Sequence, residues 1–466
     1  MRLQKKGEIG GTLFVKSVPP KPPPRNFYQA PEPAFPRRKC RFRRVLKVLE
    51  VGFGEELLTR SASPISLLFC RRKGISSVAN ASPERGARQV YMPLLQFNWT
   101  RRPLELFEWP LVLITLVLSG VGLCLIFSAT APLGEAGRAF VVRQMTWCSF
   151  GLVLTAAFLL FDYRVMERWA VPLYIIIVVA LFTVWALGKV TAGSRRWIEI
   201  GFMRFQPSEF AKLAVVIILA KYFQNKSGRG DPDVSDLAKP LLLAMLPVIL
   251  VLIQPDLGTA IVIFLVAMSM ILFAGIGRKA LKWSIGIVLG SVPVLLLVGD
   301  NFLMEYQRKR LLTFLNPDYD PLGAGYHIIQ SQIAIGSGGM LGKGFLKGTQ
   351  NQLMFLPVKH TDFIFSILAE EWGFLGCAII LLLFSILFFR GIAVAGKARD
   401  DFGALVAFGC TIIVFWHVVI NIGMVMGLLP VVGVPLSFLS YGGSSLLVSY
   451  ICVAILINVR MRRFSF

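Results

Sequence analysis

The run His360-Thr361-Asp362-Phe363 places one carboxylate where a polar stretch enters an apolar one. Partial desolvation raises the pKa of such a group, which is what a general base requires. The same position suits a helix N-cap, with Thr361 or Asp362 accepting backbone N–H bonds, and the two roles are compatible. In the run Pro207 to Lys212, Glu209 and Lys212 lie three apart on one helix face inside an apolar segment. Each ionised group alone costs roughly 2.5 kcal/mol or more at such a depth. Mutual pairing is one explanation and a functional site is the other. Pro207 followed by Ser208 fits a helix start. Gln254-Pro255-Asp256 makes a tight turn between two apolar segments, so Asp256 is either a turn residue or a further acid.

The stretch Gly336 to Gly348 is glycine-rich and contains Lys343. It is not a nucleotide loop, because Gly342-Lys343 is followed by Gly344 rather than Ser or Thr. It reads as a flexible loop whose backbone N–H groups can approach an anion. Ser440-Tyr441-Gly442-Gly443-Ser444 starts a helix with small residues that favour close packing. His327, His360 and His417 are dispersed, and the seven cysteines are odd in number without CxxC spacing. The cysteines read as small buried hydrophobes rather than a disulfide framework or zinc site.

These residues must be positioned by a very apolar chain. Of 466 residues, 55% are hydrophobic and 16% charged, with mean hydropathy +0.66, which excludes a soluble enzyme of average composition. Apolar segments recur near 110–130, 140–161, 169–188, 207–223, 239–254, 257–275, 281–299, 363–389, 403–427 and 437–459. Each approaches the ~20 residues that cross a ~30 Å hydrocarbon layer. The expected fold is an all-α integral membrane protein of ten transmembrane helices, with one long extracytoplasmic loop, 300–362, between helices 7 and 8. The segments at 207–223 and 239–254 are the weakest of the set.

Ten spans put both termini on one side. The connections on that side hold 17 Lys and Arg against 12 on the other, which makes both termini cytoplasmic. Six of the 12 fall in 300–362, and four more are Lys189, Arg195, Arg196 and Arg204. Cations placed against the topological preference suggest an anionic ligand on the outer face, a solvated loop surface being the alternative.

Residues 1–91 hold 19 Lys and Arg against 6 Asp and Glu, with five prolines between Pro19 and Pro24 and a basic run from Arg37 to Lys47. They read as a basic, Pro-rich disordered extension or a mis-assigned start, with the membrane domain occupying 92–466. As an extension it would be a lipid-binding arm or a transit peptide; as a mis-assigned start it makes Met92 the first residue. The formal charge of +23 is no argument for a nucleic-acid partner, since the remaining cations lie in short connections between spans.

Five stretches taken together carry a resemblance: RWIEIGFMRFQPSEFAK at 196–212, QPDLGTA at 254–260, DPLGAGYHIIQSQIAIGSGGMLGKG at 320–344, HTDFIF at 360–365 and VVGVPLSFLSYGGSS at 431–445. In matching order they resemble the SEDS family, its rod-shape branch more than the septal or sporulation branches. The resemblance implies a ten-helix peptidoglycan glycosyltransferase of the bacterial cytoplasmic membrane. Such an enzyme polymerises lipid II into glycan strands at the outer face, for cell-wall elongation and rod shape. It further implies a class B penicillin-binding transpeptidase as partner, within the elongation complex. The family's essential carboxylate falls on Asp362, its Glu and Lys on Glu209 and Lys212, and its QPD acid on Asp256. Residues 1–91 have no counterpart, which supports Met92 as the start.

The chemistry agrees with a single carboxylate. Glycosidases need two because the leaving alcohol must be protonated, whereas a lipid diphosphate leaves as a stable anion and needs cations. Arg196, Arg204, Lys212 and Lys343 are the candidates, with Ser440 and Tyr441 among the substrate contacts. No cofactor is required by the sequence, although a divalent Mg or Mn ion could serve the same end. Asp362 would take the proton from the acceptor sugar's 4-hydroxyl, whose oxygen attacks the donor anomeric carbon with inversion. A lipid II flippase is the alternative, and would want polar residues across the membrane depth or inverted repeats. No internal repeat is visible, and the marked residues cluster on one side. A scaffold without chemistry would tolerate loss of the Asp362 charge.

Overall fold

The computed structural model describes residues 107–187, 197–200, 203–226, 238–274, 305–316, 320, 323–353, 355 and 360–464. The extension 1–91, the seventh apolar segment 281–299 and Arg196 lie outside them. In chain order the helices are α1 (Trp109–Thr130), α2 (Glu135–Leu160), α3 (Arg164–Leu187), α4 (Pro207–Lys226), α5 (Ala238–Ile253) and α6 (Leu257–Phe273). They continue as α7 (Glu305–Leu315), α8 (Ala324–Gly338), α9 (Thr349–Gln352), α10 (Ile364–Gly396), α11 (Asp401–Val425) and α12 (Gly443–Met461). Helices α1, α2, α3, α10, α11 and α12 are each long and apolar enough to cross a membrane. The apolar helices α5 and α6 are shorter, at 16 and 17 residues. The chain is a multi-pass helical membrane protein. One short antiparallel hairpin, β1 (Ile198–Ile200) with β2 (Met203–Phe205), departs from the all-helical expectation.

Burial separates a centre from a lipid-facing rim. On α4 every residue from Ala211 to Ala220 is buried, as is every residue of α12 from Ser444 to Val459. Around them, α1, α3, α5 and α10 expose Leu113, Ile176, Leu242 and Leu382. A helix that turns leucine outward and charge inward is arranged for a hydrocarbon solvent. Helix α4 packs on α3, α6 and α11, α12 packs on α2, and α10 on α11. This surrounds α4, which carries Glu209 and Lys212, with other helices.

Two elements differ from the sequence expectation. Helix α12 starts at Gly443 rather than near 437. Residues 431–442 are coil because Pro430 and Pro435 cannot continue a helix, and Phe438 adopts a positive φ of 66°. Helix α10 runs to Gly396 and is interrupted at Gly373, with φ 66° and ψ −165°. The interruption exposes backbone groups at membrane depth, which must find partners. Lys343 and Gly344 N–H donate to the Glu370 and Glu371 carbonyls at 3.0 Å each. Phe374 and Leu375 N–H donate to Gly339 and Met340 at 2.9 and 3.1 Å. The glycine-rich stretch expected to be a flexible loop is therefore stitched into the break, and a Cβ on Gly373 would meet Gly342 N at 2.3 Å. Of the cysteines, Cys148, Cys377, Cys410 and Cys452 are buried and free, but Cys124 is exposed, contrary to expectation. Cys40 and Cys70 lie outside the described residues.

Candidate functional site

The coil 431–442 is where the separated motifs meet. Its proline and glycine content keeps it out of a helix, so its carbonyls need partners from elsewhere. Asn421 on α11 donates to the Val434 carbonyl at 2.7 Å and to the Asp362 carbonyl at 2.9 Å. One turn earlier, His417 Nδ1 lies 3.1 Å from the Pro435 carbonyl. On α2, Gln144 donates to the Ser440 carbonyl at 3.2 Å and accepts from Gly442 N–H at 3.4 Å. Tyr441 N–H donates to the His360 carbonyl at 2.9 Å, and its ring stands edge-on to Phe140 and His360. The Ser440 hydroxyl accepts from Leu436 N–H at 2.9 Å, so it shapes the coil.

Beneath the coil sits a buried charge centre. Lys212 Nζ is 2.8 Å from Glu209 Oε2 and 2.7 Å from His417 Nε2. The Pro435 carbonyl can only accept, so the His417 proton is on Nδ1 and Nε2 accepts from Lys212. Glu209, Lys212 and His417 are 4%, 1% and 2% exposed, so the triad is closed to water. Asp256 lies beside it as the N-cap of α6, accepting from Thr259 N–H at 3.3 Å and Thr259 Oγ1 at 2.9 Å. Gln206, immediately before α4, donates to Asp256 at 3.2 Å and to Ser208 at 3.0 Å. Thus Asp256 caps α6 and, through Gln206, also joins the QPD and PSE motifs.

Asp362 borders the same coil from the polar side. The N-cap place of α10 is taken by Phe363, so Asp362 stands one residue before it and is only partly buried. A Cβ built on Gly433, whose φ is +73°, would come within 3.3 Å of Asp362 Oδ2, so a glycine there leaves the carboxylate its room. His327 of α8 packs its ring 6.1 Å from that of Phe363. Burial holds His327 below the usual histidine range, and Asp320 offsets part of that shift. The result is a partly buried carboxylate whose backbone is held by Asn421, one helical turn along α11 from the His417 that touches the buried ion pair. Such a group can accept a proton from a ligand at the polar face.

A sequence profile of the FtsW/RodA/SpoVE family, described as a cell cycle protein, matches residues 109–464. The chain belongs to this family. Peptidoglycan glycosyltransferase MrdB of Escherichia coli K12 is 42% identical over 342 residues, spanning 73% of this chain and 91% of MrdB. Peptidoglycan glycosyltransferase RodA of Treponema pallidum is 32% identical over 427 residues, spanning 77% of this chain and 98% of that one. A chain in the solved structure of a peptidoglycan synthase complex that coordinates polymerization and crosslinking superposes with a TM-score of 0.66 at 31% identity. It covers 77% of this chain and 99% of that one. Thermus thermophilus RodA gives 0.58 at 27% identity, covering 77% and 98%.

For a member of the FtsW/RodA/SpoVE family, the motifs read from sequence thus converge, but not all on one point. Asp362, Glu209, Lys212, Asp256, Ser440 and Tyr441 gather around the coil. Lys343 is held elsewhere: its Nζ is 2.7 Å from Glu370 Oε1 and 2.8 Å from Thr349 Oγ1. Glu370 lies eight residues beyond Asp362 on α10, about 12 Å along the axis. Arg204 stands on β2 opposite Glu199 in register. Sequence reasoning passed over Gln144, Asn421, Glu370 and Glu371, and weighed His417 only as one of three dispersed histidines. His417 and Asn421 are polar residues four apart within an apolar span, and Glu370 and Glu371 are two acids within another. Both carry the signal that had singled out Glu209.

Proposed function

We propose that this protein is a peptidoglycan glycosyltransferase of the bacterial cytoplasmic membrane, polymerising lipid II into glycan strands for elongation and rod shape. The relatives that match nearly end to end are named for that activity. In this reading the fold has ten spans, with the loop 300–362 and the coil 431–442 on the outer face and both termini inside. A class B penicillin-binding transpeptidase of the elongation complex is its partner, in keeping with the synthase complex that contains the similar chain.

Asp362 accepts the proton of the acceptor sugar's 4-hydroxyl. The new glycosidic bond forms as the anomeric carbon–diphosphate bond breaks, with inversion, and lipid diphosphate leaves as an anion. Fixed positive charge stabilises that anion without protonating it. Arg196 and Arg204 are the cations we assign to this role. Lys212 and Lys343, already paired with Glu209 and Glu370, hold the walls in place. Among the described residues no three His, Cys, Asp or Glu side chains converge as a metal cradle. A Mg or Mn ion bound to the diphosphate would add positive charge to the same end.

The observation that carries this reading is the position of Asp362: partly open on one side, and tied through Asn421 to the coil that locks Lys212 on the other. The test is polymerisation of labelled lipid II by the purified full chain, with and without the transpeptidase. Glycan strands are expected. Transbilayer movement of lipid II with no polymer under any of these conditions would establish the flippase reading instead.

A further inference from the structure

At the N-terminal end of α1, two arginines converge on one carboxylate and a lysine stands in the same field. Glu108, 6% exposed, precedes α1 and is reached by Arg460 Nε of α12 at 3.0 Å and by Arg390 Nη1 of α10 at 3.6 Å. Lys397, at the C-terminal end of α10, belongs to the same field together with Arg463. Burial first, and then the neighbouring Arg460 and Arg463, hold Lys397 below its ordinary value, and Glu108 opposes the shift. The adjoining pairs differ in kind. Arg164 with Asp400 at 3.3 Å and Arg462 with Asp162 at 3.7 Å are matched one to one. Among the described residues, Arg390, Lys397 and Arg460 share only Glu108, which leaves an excess of positive charge between three spans.

We propose that this cluster is a binding site for the headgroup of an anionic glycerophospholipid. Beside it, Trp109 is 62% and Phe389 52% exposed, aromatic side chains of the kind that sit at the headgroup boundary. A phosphodiester between Arg390, Lys397 and Arg460 would supply the missing negative charge while its acyl chains lie along those rings. Basic pockets between spans recognise phosphate headgroups in this manner.

The test is native mass spectrometry of the full chain after delipidation in the presence of phosphatidylglycerol or phosphatidylcholine. Retention of phosphatidylglycerol about tenfold above phosphatidylcholine is expected, with the preference lost in the Arg390→Gln, Lys397→Gln double variant and kept in Arg143→Gln. Equal retention of both lipids, or an unchanged preference in the double variant, overturns the proposal. Displacement of the lipid by millimolar inorganic phosphate alone would make a free anion the ligand, and an acidic polypeptide seated on these residues would make it a protein site. Either also overturns it. Should the double variant not fold, a photoreactive phosphatidylglycerol is applied to the unaltered protein. Adducts are expected in 386–400 and 455–464, and adducts confined to other segments refute the site.

Discussion

The ammonium of Lys212 lies 2.7 Å from Nε2 of His417, although 205 residues separate them. Because His417 in turn holds Pro435 and its neighbour Asn421 holds Asp362, a buried ion pair and an accessible carboxylate share one rigid support. A change at either end is expected to be felt at the other.

Asp362→Asn keeps the size of the side chain and removes its basicity. Losing a general base typically lowers turnover by ~10²–10⁴-fold. The variant is expected to insert, to keep its thermal unfolding midpoint and to bind its partner, yet to polymerise lipid II at that reduced rate. Turnover above about a tenth of the original at equal folded amount would remove the general-base assignment.

Lys212→Met leaves Glu209 buried without its counter-charge, which costs about 3–5 kcal/mol. Glu209→Gln with Lys212→Met removes both charges and is expected to regain most of that stability in detergent unfolding. Polymerisation is expected to stay low in the double variant, since His417 loses the donor that fixes its Nε2. Normal polymerisation by the double variant would make the pair a structural device only.

Gly373→Ala asks a Cβ to occupy space 2.3 Å from Gly342 N, at a φ of +66°. The left-handed conformation alone costs roughly 1–2 kcal/mol. Faster hydrogen exchange at Lys343, Gly344, Phe374 and Leu375 is the expected outcome, since those amides close the break in α10. Unchanged exchange there would show that the segment is held by something other than the break.

For His327 the pH dependence follows from its depressed pKa. The unfolded side chain titrates near the usual histidine value, ~6.5, and binds a proton more readily than the folded one. Folding of α8 is therefore favoured above that value and weakened as pH falls toward the folded pKa. Protection of the 324–338 amides, measured relative to intrinsic exchange at each pH, is expected to fall between pH 7 and pH 5, and His327→Gln to flatten the response. Protection that does not change with pH in the original protein would contradict the burial argument.

Orientation can be read with a membrane-impermeant thiol reagent on intact cells. Leu353→Cys, at an exposed position after α9, is expected to react, and a cysteine introduced within 228–232 is not. The reverse pattern would place Asp362 on the inner face and separate it from the proposed substrate.

Membrane residence and the positions of most spans were legible in the sequence, because a hydrocarbon solvent demands about 20 apolar residues whatever surrounds them. So were Glu209, Lys212, Asp256 and Asp362, since charge inside or beside such a run is costly enough to stand out. Their grouping was not legible. The coil 431–442 looked like the start of a span because Val431, Val432, Leu436 and Leu439 are apolar. Only its packing on α11 showed that Pro435 and Val434 offer carbonyls to His417 and Asn421. Lys343 read as a cation for a ligand, and only the approach of α10 gave it Glu370. Hydropathy is a property of neighbours along the chain. Hydrogen bonds and ion pairs between distant segments depend on which helices pack together, and that was decided by the tertiary fold.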